Sequence, residues 1–562
     1  MSAKILKSFY LIYDLKTLKI IGLRLELFSL LFCHWPTLED HRCLLQHYLC
    51  KPGFVIAQIL CKQKKTSICS MISLAPLITL ILACLGRATS EKAPNILLIL
   101  SDDQDVELRG MFPMEQTIQL LGFGGALFHN AYTPTPICCP ARTSLLTGMY
   151  AHNHGTRNNS VAGGCYGPHW WRSLEPRALP HILQQHGYNT FFGGKYLNQY
   201  WGAGDVPKGW NHFYGLHGNS RYYNYTLREN SGNVHYESTY LTDLLKDRAA
   251  DFLRNATQSS EPFFAMVAPP AAHEPFTPAP RHEGVFSHIE ALRTPSFNQV
   301  KQDKHWLVRA ARRLPNETIN TIDKYFQKRW ETLLAVDELV VTLVGVLNDT
   351  QSLENTYIIY TSDNGYHVGQ FAQPFDKRQP YETDINIPLL IRGPGIAPES
   401  HIDTAVSLVD LAPTILAWAD IDTPSYMDGQ SFHELLLNNR RRVPFFERSL
   451  LIEYWGEGTV ATYNSECPWP AKDRLAQCTP AADCHCQDSW NNTYACLRNI
   501  RHREDRIYCE FRDGENFLEA YDLQLDPFQM TNIAYDLLPI ERALYSLRLK
   551  NLTQCSGHSC FL

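Results

Sequence analysis

Pro94-Asn95-Ile96-Leu97-Leu98-Ile99-Leu100-Ser101-Asp102-Asp103 is the stretch that decides the fold. Its middle is an unbroken apolar run that ends in two adjacent carboxylates. A strand that is apolar on both sides must be covered on both faces, which is the condition of a sheet sandwiched by helices. Three more runs have the same form. Tyr188-Asn189-Thr190-Phe191-Phe192 leads into Gly193-Gly194-Lys195, Pro262-Phe263-Phe264-Ala265-Met266-Val267-Ala268 leads toward His273, and Thr356-Tyr357-Ile358-Ile359-Tyr360-Thr361 leads into Asp363-Asn364.

The segments between these runs carry helical periodicity. In Tyr325 to Leu347, apolar residues from Phe326 and Trp330 to Leu343 and Val344 recur at three- and four-residue spacing. Alternating strands and helices predict an α/β fold. Polar residues at the carboxyl ends of parallel strands gather at one edge of such a sheet, where α/β sites form. That geometry predicts convergence of residues 102, 138, 195, 273 and 363. The texture changes near Asn438-Asn439-Arg440-Arg441-Arg442, and a smaller Cys-, Tyr- and Asp-rich domain is expected over 445–562, after a main domain over 91–440.

Cys138-Cys139-Pro140-Ala141-Arg142-Thr143-Ser144-Leu145-Leu146-Thr147-Gly148 is the chemical signature. It resembles the signature of the sulfatase family, in which the first Cys is oxidised after translation to Cα-formylglycine. The resemblance extends over nearly all of residues 94–562. It implies an alkaline-phosphatase-like fold: a large mixed, mostly parallel sheet between helices, with a smaller α+β domain at the C-terminus. It also implies a sulfuric ester hydrolase whose aldehyde hydrate attacks sulfur through one hydroxyl and expels sulfate with the help of the other.

Asp102, Asp103, Asp363 and Asn364 offer hard oxygen ligands from two strand ends, which suit Ca²⁺ or Mg²⁺ better than a soft metal. Taken singly, such pairs are more often turns or caps. The resemblance implies that they hold one Ca²⁺ per chain beside the formylglycine made from Cys138. It assigns Arg142, one helical turn beyond Cys138, to steadying the nucleophile. It gives Lys195 and Lys377 the grip on sulfate and His273 the protonation of the leaving alcohol. Many members read Gly-Lys-Trp-His where this chain reads Gly194-Lys195-Tyr196-Leu197, so a histidine is missing at Leu197. His154 is the candidate to replace it, and His367 is a further candidate for substrate contact. A Cys139–Cys165 disulfide would leave Cys138 as the thiol free for modification.

Residues 1–90 differ from the rest of the 562-residue chain, with 11 Lys+Arg against 4 Asp+Glu and six of the 17 cysteines. Lys62, Lys64 and Lys65 precede Met71 and an apolar run ending near Leu85, followed by small residues. That pattern predicts a secretory signal peptide over 71–90, with 1–70 an upstream extension of doubtful status; the alternative is an uncleaved signal anchor. Beyond it stand 40 basic and 53 acidic residues, a formal net charge of −13. This argues against a nucleic-acid binder. It also opposes a polyanionic substrate at neutral pH. Nineteen of the 22 histidines lie in this part, and their protonation in an acidic organelle would relieve the repulsion. Eight of the later cysteines crowd the C-terminal region, which predicts disulfides. Seven sequons (Asn158, Asn224, Asn255, Asn316, Asn348, Asn491 and Asn551) predict a glycoprotein.

Within the family the resemblance is to the branch acting on N-acetylglucosamine 6-sulfates of heparan and keratan sulfate. It is carried by Gly-Lys-Tyr-Leu-Asn at 194–198, Lys328-Arg329-Trp330-Glu331-Thr332-Leu333-Leu334 and Asn491-Asn492-Thr493-Tyr494-Ala495-Cys496. Extracellular heparan endosulfatases share several of these motifs but carry a long basic insertion that this chain lacks. The resemblance therefore implies a lysosomal, exo-acting enzyme, with secretion also open. It implies a sulfated glycosaminoglycan as substrate, a formylglycine-generating enzyme as maturation partner, and no stable membrane span. The rivals are an endosulfatase, a phosphate-ester hydrolase of the same superfamily and a non-catalytic glycan-binding relative.

Overall fold

The computed structural model describes residues 93–230, 232–437, 448–457, 488–501 and 504–561. The expected upstream extension, signal peptide and basic linker, together with the cysteines at 467, 478, 484 and 486, lie outside these residues. Ala93 to the C-terminus forms one compact unit.

Twelve strands precede residue 410: β1 (Asn95–Ser101), β2 (Ala126–Phe128), β3 (Ala131–Tyr132), β4 (Asn189–Lys195), β5 (His212–Leu216), β6 (Tyr225–Glu229), β7 (Gly232–Tyr236), β8 (Phe263–Ala268), β9 (Thr356–Ser362), β10 (Leu389–Arg392), β11 (Ser400–Ile402) and β12 (Val406–Ser407). Ten of them form one sheet in the order β11-β2-β10-β9-β1-β8-β4-β5-β6-β7. The pairings β9-β1-β8-β4-β5 at its centre are parallel, and antiparallel strands occur toward the edges. This is the α/β sheet that the apolar runs predict, with the mixed, mostly parallel pattern that the resemblance implies.

The two-sided burial of β1 is visible in its packing. Ile96, Leu98 and Leu100 enter one hydrophobic cluster, and Leu97 and Ile99 enter another. The first cluster includes helix α1 (Cys138–Thr147) and helix α4 (Leu411–Trp418); the second includes α2 (Leu241–Ala256) and α3 (Asn316–Asp349). Each large aliphatic side chain buried this way stabilises the sandwich by ~1.5–3 kcal/mol. Helix α3 is longer than its apolar periodicity indicates, because Pro315 starts it and Ile319 and Ile322 continue the stripe through a polar first stretch. None of the helices among the described residues is long and apolar enough to cross a membrane.

Beyond the large sheet, β13 (Ser449–Tyr454), β14 (Tyr494–Arg501), β15 (Glu504–Phe511) and β16 (Leu518–Asp522) form an antiparallel sheet, followed by helix α5 (Pro539–Leu552). Its inner face shares a cluster with Tyr132 and Ile137 ahead of α1 and with Phe371, Tyr381 and Ile385. The C-terminal sheet thus backs both the start of α1 and the segment that follows Lys377. Disulfides join Cys139 to Cys165, Cys496 to Cys509 and Cys555 to Cys560, and Cys138 is the free cysteine among the described residues.

Strand β4 runs through both glycines to Lys195, beyond the apolar run at 188–192. Gly194 has φ 118°, and a Cβ there would lie 1.9 Å from the Ala268 carbonyl oxygen of β8. Lys195 is therefore held at the sheet edge by a contact only glycine permits. Gly187 also has positive φ, 84°, yet a Cβ there would meet nothing within 4 Å. Gly194→Ala is expected to lower unfolding free energy by about 3 kcal/mol and Gly187→Ala by about 1 kcal/mol, measured by urea denaturation.

Candidate active site

The carboxyl ends of β1, β4 and β9, the first turn of α1 and the loop after β8 meet at one edge of the large sheet. Asp102 and Asp103 follow β1, and Asp363 and Asn364 follow β9, whose register pairs Ser101 with Ser362. All four are buried. Cys138 opens α1, and Arg142 lies one turn later on the same buried face.

Asp102 accepts hydrogen bonds from Lys195 Nζ at 2.7 and 3.0 Å and from Ser220 Oγ, and Arg142 Nη2 lies 3.4 Å away. Asp103 pairs with Lys377 Nζ at 2.5 Å and accepts from Asn364 Nδ2 at 2.7 Å. His273 Nε2 is 3.7 Å from Asp103 Oδ2, and Cys138 Sγ is 3.9 Å from its Oδ1. Asp363 accepts from Arg142 Nε at 2.8 Å and from the Asp103 amide at 3.1 Å. Arg142 Nη1 also donates to the Lys195 carbonyl at 2.6 Å, which ties α1 to β4. Ligand atoms of Asp102, Asp103, Cys138 and His273 all lie within 4.8 Å of one another.

The electrostatics follow from this packing. Burial pushes the Asp102 carboxyl up, but Lys195, His273, Arg142 and Lys377 together hold it well below the usual range. Asp103 is also lowered: burial opposes ionisation, and Lys377 and His273 overcome it. Asp363 goes the other way, to about 7, because burial and the Asp102 charge outweigh Arg142. Burial raises the Cys138 thiol to about 12 against the pull of Lys195 and Lys377, so it is neutral. Burial and the Lys195 charge push His273 down to about 4, while Asp103 and Asp102 pull it up. Its Nδ1 donates to the Glu274 carbonyl at 2.6 Å, which turns Nε2 toward the carboxylates.

The donor set fits a hard divalent cation. The Asp102 and Asp103 carboxylates lie within 4.8 Å of each other, Asp363 bonds the Asp103 amide, and Asn364 Oδ1 is buried without a hydrogen-bond partner while its Nδ2 is fully used. A buried amide oxygen left without a donor is what a cation ligand requires.

Two expected residues are employed elsewhere. His154 ends the short helical turn after α1, where the Thr156 amide donates to Nδ1 at 3.0 Å and Nε2 lies 3.0 Å from Ser144 Oγ. With Nδ1 accepting, the ring proton sits on Nε2. No lone pair remains to accept a substrate proton, and His154 is a brace beneath α1 rather than the replacement for the missing histidine. Leu197, at the position of that histidine, is buried in the hydrophobic cluster on the α1 side of the sheet. His367 is buried with Nδ1 3.0 Å from Asp384, and its backbone pairs with Asp376. It orders the loop that carries Lys377. Ser220, which bonds Asp102, has no motif of its own to mark it, and Arg329, which bonds the Asp103 carbonyl, stands in the 328–334 stretch that carries the resemblance without a role assigned to it.

A family model described as Sulfatase matches residues 94–421. A human N-acetylglucosamine-6-sulfatase is 45% identical over 492 residues, covering 85% of this chain and 88% of its own. An extracellular sulfatase SULF-1 homolog of Drosophila melanogaster is 40% identical over 394 residues, covering 68% of this chain and 35% of its own. A solved structure in complex with its substrate D-glucosamine-2-N,6-O-disulfate superposes with TM-score 0.64 at 23% identity, covering 82% of this chain and 97% of that one. That likeness establishes the alkaline-phosphatase-like architecture.

Burial, and then the charges of His152 and His169, lower His154 to about 3. Between that value and the unfolded value of ~6.5, the unfolded chain binds the extra proton, so stability falls as pH falls. His154→Gln is expected to flatten this slope by up to ~1.4 kcal/mol per pH unit, measured by urea unfolding at pH 4.5 and 7.

Proposed function

From the premise that this chain belongs to the sulfatase family, we infer that it removes the 6-O-sulfate from N-acetylglucosamine of heparan and keratan sulfate. The observation that carries this reading is the 45% identity over 492 residues to the human N-acetylglucosamine-6-sulfatase. It joins a site in which a convertible cysteine, two lysines, an arginine and a histidine surround an oxygen-rich ligand set. The family membership itself makes the protein a sulfuric ester hydrolase.

Each side chain has a role in this reading. Asp102, Asp103, Asp363 and Asn364 would hold Ca²⁺, which supplies a Lewis acid for sulfate oxygen and for the developing alkoxide. Position 138, once oxidised to formylglycine by the maturation enzyme and hydrated by addition of water, would supply a geminal diol, one hydroxyl for attack on sulfur and one for release of sulfate. Arg142 fixes the turn bearing residue 138 against Asp363 and the end of β4. Lys195 and Lys377 reach the carboxylates now and would turn to sulfate oxygens when the ester enters. An anion between these lysines cancels the repulsion that helps hold His273 low, and so favours its protonated form. His273 Nε2 then donates that proton to the departing sugar O6.

Exposed sequons at Asn224, Asn255, Asn316, Asn348 and Asn551, half-buried ones at Asn158 and Asn491, and three disulfides support passage through the secretory pathway, and the lysosome is its destination in this reading.

The tryptic peptide containing residue 138 from secreted protein is expected to show the aldehyde mass rather than the thiol mass. Terminal N-acetylglucosamine 6-sulfate in a short oligosaccharide should lose sulfate faster than internal residues of whole heparin. The reverse order would support the endosulfatase reading, for which the identity to the SULF-1 homolog is the specific reason. His273→Ala should lower kcat by ~100- to 10,000-fold with the fold intact by circular dichroism.

A further inference from the structure

Helix α3 carries an arginine in its buried middle. Arg329 is 2% exposed and lies behind the carboxylates rather than among them. Its Nη2 donates to the Asp103 carbonyl at 2.8 Å and to Asp105 Oδ1 at 2.8 Å. Its guanidinium carbon stands 4.0 Å from the ring centroid of Tyr366, two residues beyond Asn364. One side chain therefore touches both loops that supply the oxygen donors.

Asp103 makes this contact consequential. Its φ is 60°, in the left-handed region that a non-glycine residue occupies only when its surroundings hold it there. Both ends of the residue are tied. Its amide donates to Asp363 Oδ1 at 3.1 Å, and its carbonyl accepts from Arg329. In that conformation Oδ1 faces Asn364 and Cys138, and Oδ2 faces Lys377 and His273. Release of the carbonyl frees Asp103 to relax to negative φ, which swings the carboxylate away from these four neighbours.

A buried arginine near a cation site would ordinarily repel the ion. Here Asp105 closes the charge: Oδ1 takes Arg329, and Oδ2 takes the amides of Leu108 and Gly110 at 3.0 and 3.2 Å. The pair adds no net charge to the site, and a cation–π contact with Tyr366 satisfies the guanidinium face.

We propose that Arg329 is a positioning residue for the cation site, locking Asp103 in its left-handed conformation and fixing the Asp102-Asp103 loop against the Asp363–Tyr366 loop. The proposal rests on the reading that Asp102, Asp103, Asp363 and Asn364 bind Ca²⁺. Its test is calorimetric titration of Ca²⁺ into the chelator-stripped, full-length secreted protein. The wild type is expected to bind one Ca²⁺. Arg329→Met should bind at least ~10-fold more weakly, and its kcat at saturating substrate should recover as Ca²⁺ is raised, which a general loss of stability would not produce. Arg329→Lys keeps the charge without the planar stack and should recover part of the affinity. Because Arg329→Met strands the Asp105 carboxylate, the double variant Arg329→Met/Asp105→Asn removes that charge, and it too should bind more weakly than wild type. A natively folded Arg329→Met or double variant with Ca²⁺ affinity within twofold of wild type overturns the positioning role. A wild type that takes up no Ca²⁺ overturns the cation reading itself.

Discussion

Three carboxylates and three cations, all withdrawn from water, share the edge of the large sheet. Asp102, Asp103 and Asp363 face Lys195, Lys377 and Arg142, and every one of these side chains is nearly or fully buried. Burying a charge costs several kcal/mol of hydration, and pairing repays it only when the geometry is good. Such a cluster therefore contributes little net stability and a great deal of constraint. Loss of any one partner leaves an uncompensated charge in a low dielectric, so strand ends, helix start and loops must all arrive together.

The rest of the molecule is arranged to meet that demand. Parallel strands β1, β4 and β9 deliver Asp102, Lys195 and Asp363 to one edge because their register aligns their carboxyl ends. Helix α1 brings Cys138 and Arg142, and the Arg142 guanidinium bonds both Asp363 and the backbone of Lys195. The C-terminal sheet is distant in sequence but packs on the residues ahead of α1 and on the segment after Lys377. Arg498 of β14 reaches Glu382 at 3.0 Å and Tyr132 Oη at 2.9 Å, and so joins these two supports. The catalytic edge is steadied from behind by a sheet that contributes no residue of the charge cluster described here.

Much of this was legible beforehand because the signals were local. Apolar runs ending in Asp-Asp, Gly-Gly-Lys and Asp-Asn named the strands and the groups at their ends. The spacing of Cys138 and Arg142 placed both on one helical face. Other features had no local signal. Ser220 lies in an irregular connection, and Arg329 belongs to the 328–334 stretch that carries the resemblance, which gives no sign of its contact, because an arginine in an amphipathic helix reads as a solvated residue. His154 misled for the converse reason. A histidine near a reactive helix has the chemistry for proton transfer, but its two ring nitrogens were already committed to Thr156 and α1.

The amino-acid sequence by itself determined the class of sheet and the polar residues at its strand ends, because those depend on residue type and on periods of two to four positions, while the nucleophile and its charged partners were named by the resemblance to sulfatases. Tertiary structure alone decided which lone pairs are free, which charges cancel and which backbone is held in an unfavourable conformation. These properties arise between residues separated by hundreds of positions, such as Asp103 and Arg329, and exist only once water has been excluded from the space between them.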